Sequence, residues 1–169
     1  MFAFFVRQRG GFGRIHPMDA IDWKILAELQ TDGRLTVTEL ADRVGLSVSP
    51  CHRRVKALED GGVIRNYRAH VEPAAVGLGF STLVFVTLKQ GDQPTVSAFE
   101  GAIAAVHQIV LAQRLFGEPD YLLHVLATDL PAFQRLYDER LSRLPGVQRL
   151  TSTLVMKEVL RDRPLPFAG

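Results

Sequence analysis

Between Thr36 and Gly62 the chain starts and stops twice. Thr36 and Glu39 stand three residues apart, the spacing at which each side chain satisfies the other's backbone N–H at a helix start. Leu35 and Leu40 flank them where a hydrophobic staple closes. Gly45 ends that helix after about two turns, Leu46 plugs the turn, and Ser47 caps the next helix. Ser49, with Pro50 as the first helical residue, is an alternative start. Gly61 and Gly62 stop the second helix. A chain punctuated this way makes two short helices joined by a sharp turn, the first turning Leu40, Ala41 and Val44 inward.

The second helix is two-faced. At roughly 100° per residue, Cys51, Val55 and Leu58 form an apolar stripe. Ser49, Arg53 and Lys56 lie opposite, with Pro50 and His52 on the flanks and Ser47 and Arg54 at the periphery. Small polar residues at a helix start and cations along its outer face suit phosphates at the N-terminus and base edges further along. The helix therefore reads as a DNA-recognition helix, although an ordinary solvated basic face accounts for this stretch alone about as well. Its setting favours DNA. A preceding helix over 20–30, capped by Asp19, repeats Ile21, Ile25, Leu26 and Leu29 at helical spacing and ends at Thr31-Asp32-Gly33. The three together make a helix-turn-helix. After Gly62, the β-favouring run Val63–Val71 predicts a strand, the wing of a winged variant, with Arg65 and Arg68 reaching the DNA backbone.

A net charge of +2 says little by itself, but its distribution is uneven. From 47 to 70 the cations Arg53, Arg54, Lys56, Arg65 and Arg68 meet only Glu59 and Asp60, whereas acids dominate 19–42. The positive field is local to the proposed helix and the segment after it. Cys51 is the single cysteine, so no internal disulfide or thiolate cluster is expected, and its place on the apolar stripe makes it a core residue. His16, His52, His70, His107 and His124 do not pair at metal-ligand spacing. No metal, cofactor or catalytic residue is predicted. No apolar run approaches the ~20 residues of a membrane span, and nothing indicates an oxidising compartment, so the expectation is cytoplasmic. Residues 1–17 read as a disordered extension outside the fold: their apolar run is too short for a signal peptide, and Arg7, Arg9 and Arg14 follow it. Met18 is an alternative start.

The pattern changes after a linker at 72–80 marked by Pro73, Gly77 and Gly79. Residues 81–89, 109–116, 121–127 and 147–159 read as strands, and 94–105 and 130–144 as helices. Val96, Phe99, Ile103 and Val106 share one helical face; Phe133, Leu136, Tyr137 and Leu141 share another. Strand-helix-strand-strand-helix-strand is the ferredoxin-like βαββαβ order. Leu83, Phe85, Leu123, Val125, Leu154 and Met156 supply apolar side chains for two sheet faces, so part of that surface is expected to meet another subunit. The fold class is α+β, with a winged helix-turn-helix domain at 18–71, a ferredoxin-like domain at 81–162 and a tail at 163–169.

The segment from Asp19 to Arg34, the run Glu39–Ser47 and the run Ser49–Glu59 together resemble the helix-turn-helix of the Lrp/AsnC, or feast/famine, regulators. Gly117–Leu123 resembles that family's effector loop, and Leu144–Val147 with Thr151–Met156 its closing segment. The resemblance spans residues 18 to about 162. It implies a bacterial or archaeal transcription regulator that binds double-stranded DNA, forms dimers often assembled into octamers, and responds to an amino-acid effector through a change in assembly. It implies effector-binding roles for Gly117, Glu118, Asp120 and Tyr121, and effector-response roles for Leu130, Leu154 and Val155. Glu118 and Pro119 depart from the commoner Gly-Asp-x-Asp-Tyr. A turn role for Asp120, and core packing for the last three, fit the sequence as well. The alternative reading is an enzyme resembling sirohaem decarboxylases, which share both domains.

Overall fold

A computed structural model describes residues 18–166. The readings made of residues 1–17 lie outside them. The contacts divide the chain into two compact units. One ends at Ala69 and takes in the chain again from Leu160; the other is His70–Val159.

The first unit, the head, holds α1 (Ala20–Thr31), α2 (Val37–Val44) and α3 (Val48–Asp60). Asp19 and Asp22 form a reciprocal capping box on α1, and Thr36 and Glu39 form another on α2. One acid in each cap titrates low. The Asp22 amide, with Arg54 close by, holds the Asp19 carboxyl below its ordinary value, and the Thr36 hydroxyl does the same for Glu39. Gly45 ends α2 at φ 74°, a left-handed conformation that costs a side-chain-bearing residue about 1–2 kcal/mol. The Leu46 N–H then returns to the Ala41 carbonyl at 2.9 Å, which sets the sharp turn into α3. Ser47 occupies the cap position of α3, but its side chain makes no capping bond. Pro50 sits in the first turn, where its missing N–H goes unused. Ile25, Leu26, Leu40, Ala41, Val44, Cys51, Val55 and Leu58 form one buried core. Burial also pushes the Cys51 thiol up from its usual pKa.

The strand predicted over Val63–Val71 does not form, and β-ladder pairing among the described residues is confined to the second unit. A strand is defined by its partner, and the described residues of the head contain no second strand to pair with this one. The segment is anchored by side chains instead. Val63 and Ile64 pack on the head core, and the Tyr67 ring lies over Gly33. Desolvation and a hydrogen bond with Glu59 push the Tyr67 phenol up to about 12. At the far end of the chain, the Leu165 N–H donates to Gln30 Oε1 at 2.7 Å, returning the tail to α1.

The second unit runs β1 (Phe80–Leu88), α4 (Gln93–Ala104), β2 (Ile109–Arg114), β3 (Tyr121–Ala127), α5 (Leu130–Glu139) and β4 (Val147–Leu154), with short 3₁₀ turns at Pro73–Val76 and Leu141–Arg143. The sheet order is β2-β3-β1-β4, antiparallel throughout, which is the ferredoxin-like topology. β1 alternates strictly, with Thr82, Val84, Val86 and Leu88 buried and the residues between them half-buried. The buried set joins Leu123 and Val125 of β3, Val96, Phe99 and Ile103 of α4, and Phe133 and Leu136 of α5 in one core. The Phe99 and Tyr121 rings pack together, tilted by 48°, with centroids 4.7 Å apart. The opposite sheet face carries Leu83 and Phe85 with Leu122 and His124, all half-buried. Three elements are shorter than predicted. β2 ends at Arg114, two residues before the predicted 116. α5 gives way to a 3₁₀ turn at Leu141, and β4 ends at Leu154 because beyond the Val155 N–H, which donates to the Ser81 carbonyl at 3.0 Å, β1 offers no further partner.

Candidate nucleic-acid interface and effector loop

The outward face of α3 is built by subtraction. Cys51, Val55 and Leu58 are buried in the head, which leaves Ser49, His52, Arg53 and Lys56 exposed. Ser47 is exposed at the cap, and Arg65 and Arg68 are exposed in the segment that follows. Among the described residues, neither Arg53 nor Lys56 takes part in an ion pair.

Arg54 differs from the other cations. Its guanidinium lies 2.8 Å from Asp19 Oδ2 and 2.8 Å from Asp22 Oδ1. Those two carboxylates raise its pKa, Asp22 most. Arg54 thus clips α3 to the capped start of α1, a structural task that competes with any DNA contact. Arg43 does the same between α2 and α1 through Glu28 at 2.9 Å.

Val48 was not among the predicted residues. It is 45% exposed in the first turn of α3, and an exposed apolar side chain there suits a thymine methyl. The sequence conceals it, because 48, 51, 55 and 58 continue the buried stripe at helical spacing. Val48 escapes burial only because it is the first residue of the helix.

In the second unit the predicted effector residues divide. Gly117, Glu118 and Asp120 lie together in the loop between β2 and β3. The loop is closed by the Leu115 N–H donating to the Asp120 carbonyl at 2.7 Å and by the Leu88 N–H donating to Asp120 Oδ2 at 2.7 Å. Asp120 is half-buried by this arrangement and acts first as the loop's anchor, which is close to the turn role the sequence also allowed. Glu118 instead accepts from Arg149 Nη2 of β4 at 3.2 Å. Tyr121 is only 2% exposed, packs in the core and donates its hydroxyl to Glu100 Oε1 at 2.8 Å. Desolvation and that carboxylate push its pKa up to about 12. The structure therefore places Tyr121 beneath the loop and not on its surface. Leu130 and Leu154 are 51% and 55% exposed, which removes the core-packing explanation for them, and Val155 is half-buried. A shallow groove of about 300 Å³ between α4 and β2 is lined by Glu100, Ile103, Ala104 and residues 109–112, and adjoins the predicted residues through Glu100, the acceptor of the Tyr121 hydroxyl.

An exposed cationic helix on a three-helix head, joined to a ferredoxin-like unit with a structured loop, defines a DNA-binding protein with a regulatory domain. Known proteins narrow the class. The profile of winged helix-turn-helix DNA-binding domains matches residues 18–65, and that of the Lrp/AsnC ligand-binding domain matches residues 81–165. The leucine-responsive regulatory protein of Rhizobium meliloti (strain 1021) is 41% identical over 142 residues, covering 84% of this chain and 91% of that protein. The protein of the same name from Escherichia coli (strain K12) is 38% identical over 148 residues, covering 88% and 90%. Among solved structures, a transcriptional regulator from Neisseria meningitidis in complex with L-Met superposes with a TM-score of 0.83 at 38% identity, covering 88% of this chain and 96% of that one. An AsnC family regulator from Agrobacterium tumefaciens gives 0.82 at 31% identity, covering 88% and 97%. The chain belongs to the Lrp/AsnC family of transcription regulators. It is a DNA-binding regulator with a ligand-binding domain, and the enzymatic alternative is not favoured. No helix among the described residues is long and apolar enough to cross a membrane.

Proposed function

We propose that the head, residues 18–71, reads double-stranded DNA through α3, and that the second unit, 81–162, senses an amino acid. Arg53 and Lys56 are the base-reading and phosphate-reading cations, Ser49 and His52 flank them, and Val48 adds an apolar contact. Arg65 and Arg68 hold phosphates beside the helix. Arg54 serves the head's own packing. The observation that carries this reading is the pairing pattern on α3: Arg54 is engaged by two carboxylates, whereas Arg53 and Lys56 are exposed and in no ion pair among the described residues. An α-helix so presented fits the major groove.

The loop at Gly117, Glu118 and Asp120, with Leu130, Leu154 and Val155, forms the effector site. The complex of the Neisseria regulator with L-Met supports an amino acid as the ligand class. The half-buried apolar sheet face of Leu83, Phe85 and Leu122 packs on a second copy, and the dimers assemble further into octamers. The effector acts by preferring one assembly over another, which shifts the population of DNA-competent forms. The regulator works in the cytoplasm, with no enzymatic step.

The test is the salt dependence of operator binding. Several phosphate contacts release several counterions, so affinity falls steeply and linearly on a log–log scale as salt rises. A flat response would remove α3 and its flanking arginines from the interface.

A further inference from the structure

Three features of the second unit stand outside the assigned roles: the groove between α4 and β2, the Ser81–His124 hydrogen bond on the open sheet face, and the ion pair between Glu118 and Arg149. The ion pair carries an inference furthest. We propose that Arg149 completes the effector site. It holds Glu118 in the resting chain and takes the carboxylate of an incoming zwitterionic amino acid, while Glu118 takes the ammonium. The proposal rests on the reading of the Gly117–Asp120 loop as the effector loop, and it assigns that loop a partner on β4.

The loop is tied to two adjacent strands by two unlike contacts. Asp120 is fixed to the Leu88 amide of β1 at 2.7 Å and is half-buried. Releasing it would leave an amide without its acceptor, so Asp120 is poorly suited to exchange partners. The Glu118 and Arg149 side chains are 72% and 65% exposed and meet through one contact of 3.2 Å. Pairs this open are weak and readily exchanged. Arg149 sits on β4 opposite Thr87, one residue before the Leu88 that anchors Asp120, so both attachments converge at the same end of the sheet.

An α-amino acid carries an ammonium and a carboxylate a few ångströms apart. Inserted between Glu118 and Arg149, it replaces each side chain's partner with one of the same charge. The guanidinium fork matches a carboxylate with two parallel bonds, better than the single contact it makes now. A ligand with only an amine, or only an acid, leaves one member of the pair unmatched. The arrangement selects zwitterions, and the exchange frees the loop from β4, which is a local change that assembly can register.

The test uses the full chain and isothermal titration calorimetry. The probes are the twenty L-amino acids and, for those that bind, the matching amines without the carboxylate. The wild type is expected to bind its amino acid at least about ten-fold more tightly than the amine. R149Q is expected to lose that advantage while binding the amine at least as tightly as the wild type does, because Glu118 no longer has to be released, and R149K to keep part of it. E118Q is expected to weaken the amino acid and the amine alike. Unchanged amino-acid affinity in R149Q overturns the proposal, and so does an equal loss for amino acid and amine, which would mean that Arg149 only shapes the loop. A wild type that binds none of the twenty overturns the sensor reading itself, and this proposal with it.

Discussion

In the head the chemistry-bearing cations of α3 face outward with no ion pair among the described residues, while in the effector loop both carboxylates already have partners. The difference matches what each is proposed to bind. DNA brings its own dense negative charge, so Arg53 and Lys56 need only exposure and a rigid helix behind them. A small zwitterion brings little binding surface, so the proposed site needs a pre-shaped loop, held by the fixed Asp120 contact and by the exchangeable Glu118–Arg149 pair. The two cores differ in the same sense. The head buries a small three-helix cluster, whereas the second unit buries a sheet against two helices, with aromatic rings in contact.

The largest expected effect separates the two cores. Phe99→Ala removes a fully buried ring that packs against Tyr121 and is expected to cost the second unit about 3–5 kcal/mol. Trp23, the chain's only tryptophan, lies in α1, so its fluorescence follows the head while circular dichroism follows both units. A Trp23 transition that moves with the rest in guanidinium would break the comparison, because it would make the two cores one cooperative unit.

The next effect separates two neighbouring arginines. Arg53→Ala is expected to weaken specific DNA binding by about 1–3 kcal/mol if Arg53 reads a base, with the melting temperature unmoved. Arg54→Ala is expected to do the reverse, lowering the melting temperature slightly through the lost clip to Asp19 and Asp22 and leaving DNA affinity largely intact. Fluorescence anisotropy on specific and unrelated duplexes decides it. Equal losses on both duplexes for Arg53→Ala would make Arg53 a phosphate contact.

A smaller effect has the opposite sign. Thr82 is buried on the same strand face as Val84, Val86 and Leu88, and its hydroxyl has no hydrogen-bond partner among the described residues. Thr82→Val keeps the shape and removes an unsatisfied group, so it is expected to stabilise the second unit by about 1 kcal/mol. A loss of stability in urea titration would reveal a partner for that hydroxyl.

The pH profile gives the last contrast. Asp19 and Glu39 have folded pKa values below their ordinary 3.8 and 4.5. Their contribution is complete above those values and is lost as pH falls through the lower folded ones, and both residues belong to the head. Tyr67 and Tyr121, one in each unit, are raised from 10 to about 12. Their contribution is complete below pH 10 and is lost between about 10 and 12. Acid is therefore expected to loosen the head first, and alkali both units together. Asp19→Asn should flatten the acid limb recorded by Trp23 fluorescence, and an unchanged acid limb would remove the cap from the account.

The helices and caps of the head were legible in the sequence because their causes are local. Thr36 finds Glu39 three residues away, and Gly45 needs only its own φ. The apolar stripes of α3 and α4 repeat within a few turns, and the strand-helix order alone implied the ferredoxin-like topology. Tertiary structure decided whatever depends on residues distant in sequence. Val63–Val71 has strand composition but no strand to pair with. Arg54 looked like its neighbour Arg53 until Asp19 and Asp22, more than thirty residues earlier, were seen to engage it. Tyr121 follows the effector loop in sequence, yet strand alternation turns it into the core beneath. Arg149 gave no signal in the sequence at all, because its meaning lies in Glu118, which only the pairing of β1 with both β3 and β4 brings within reach.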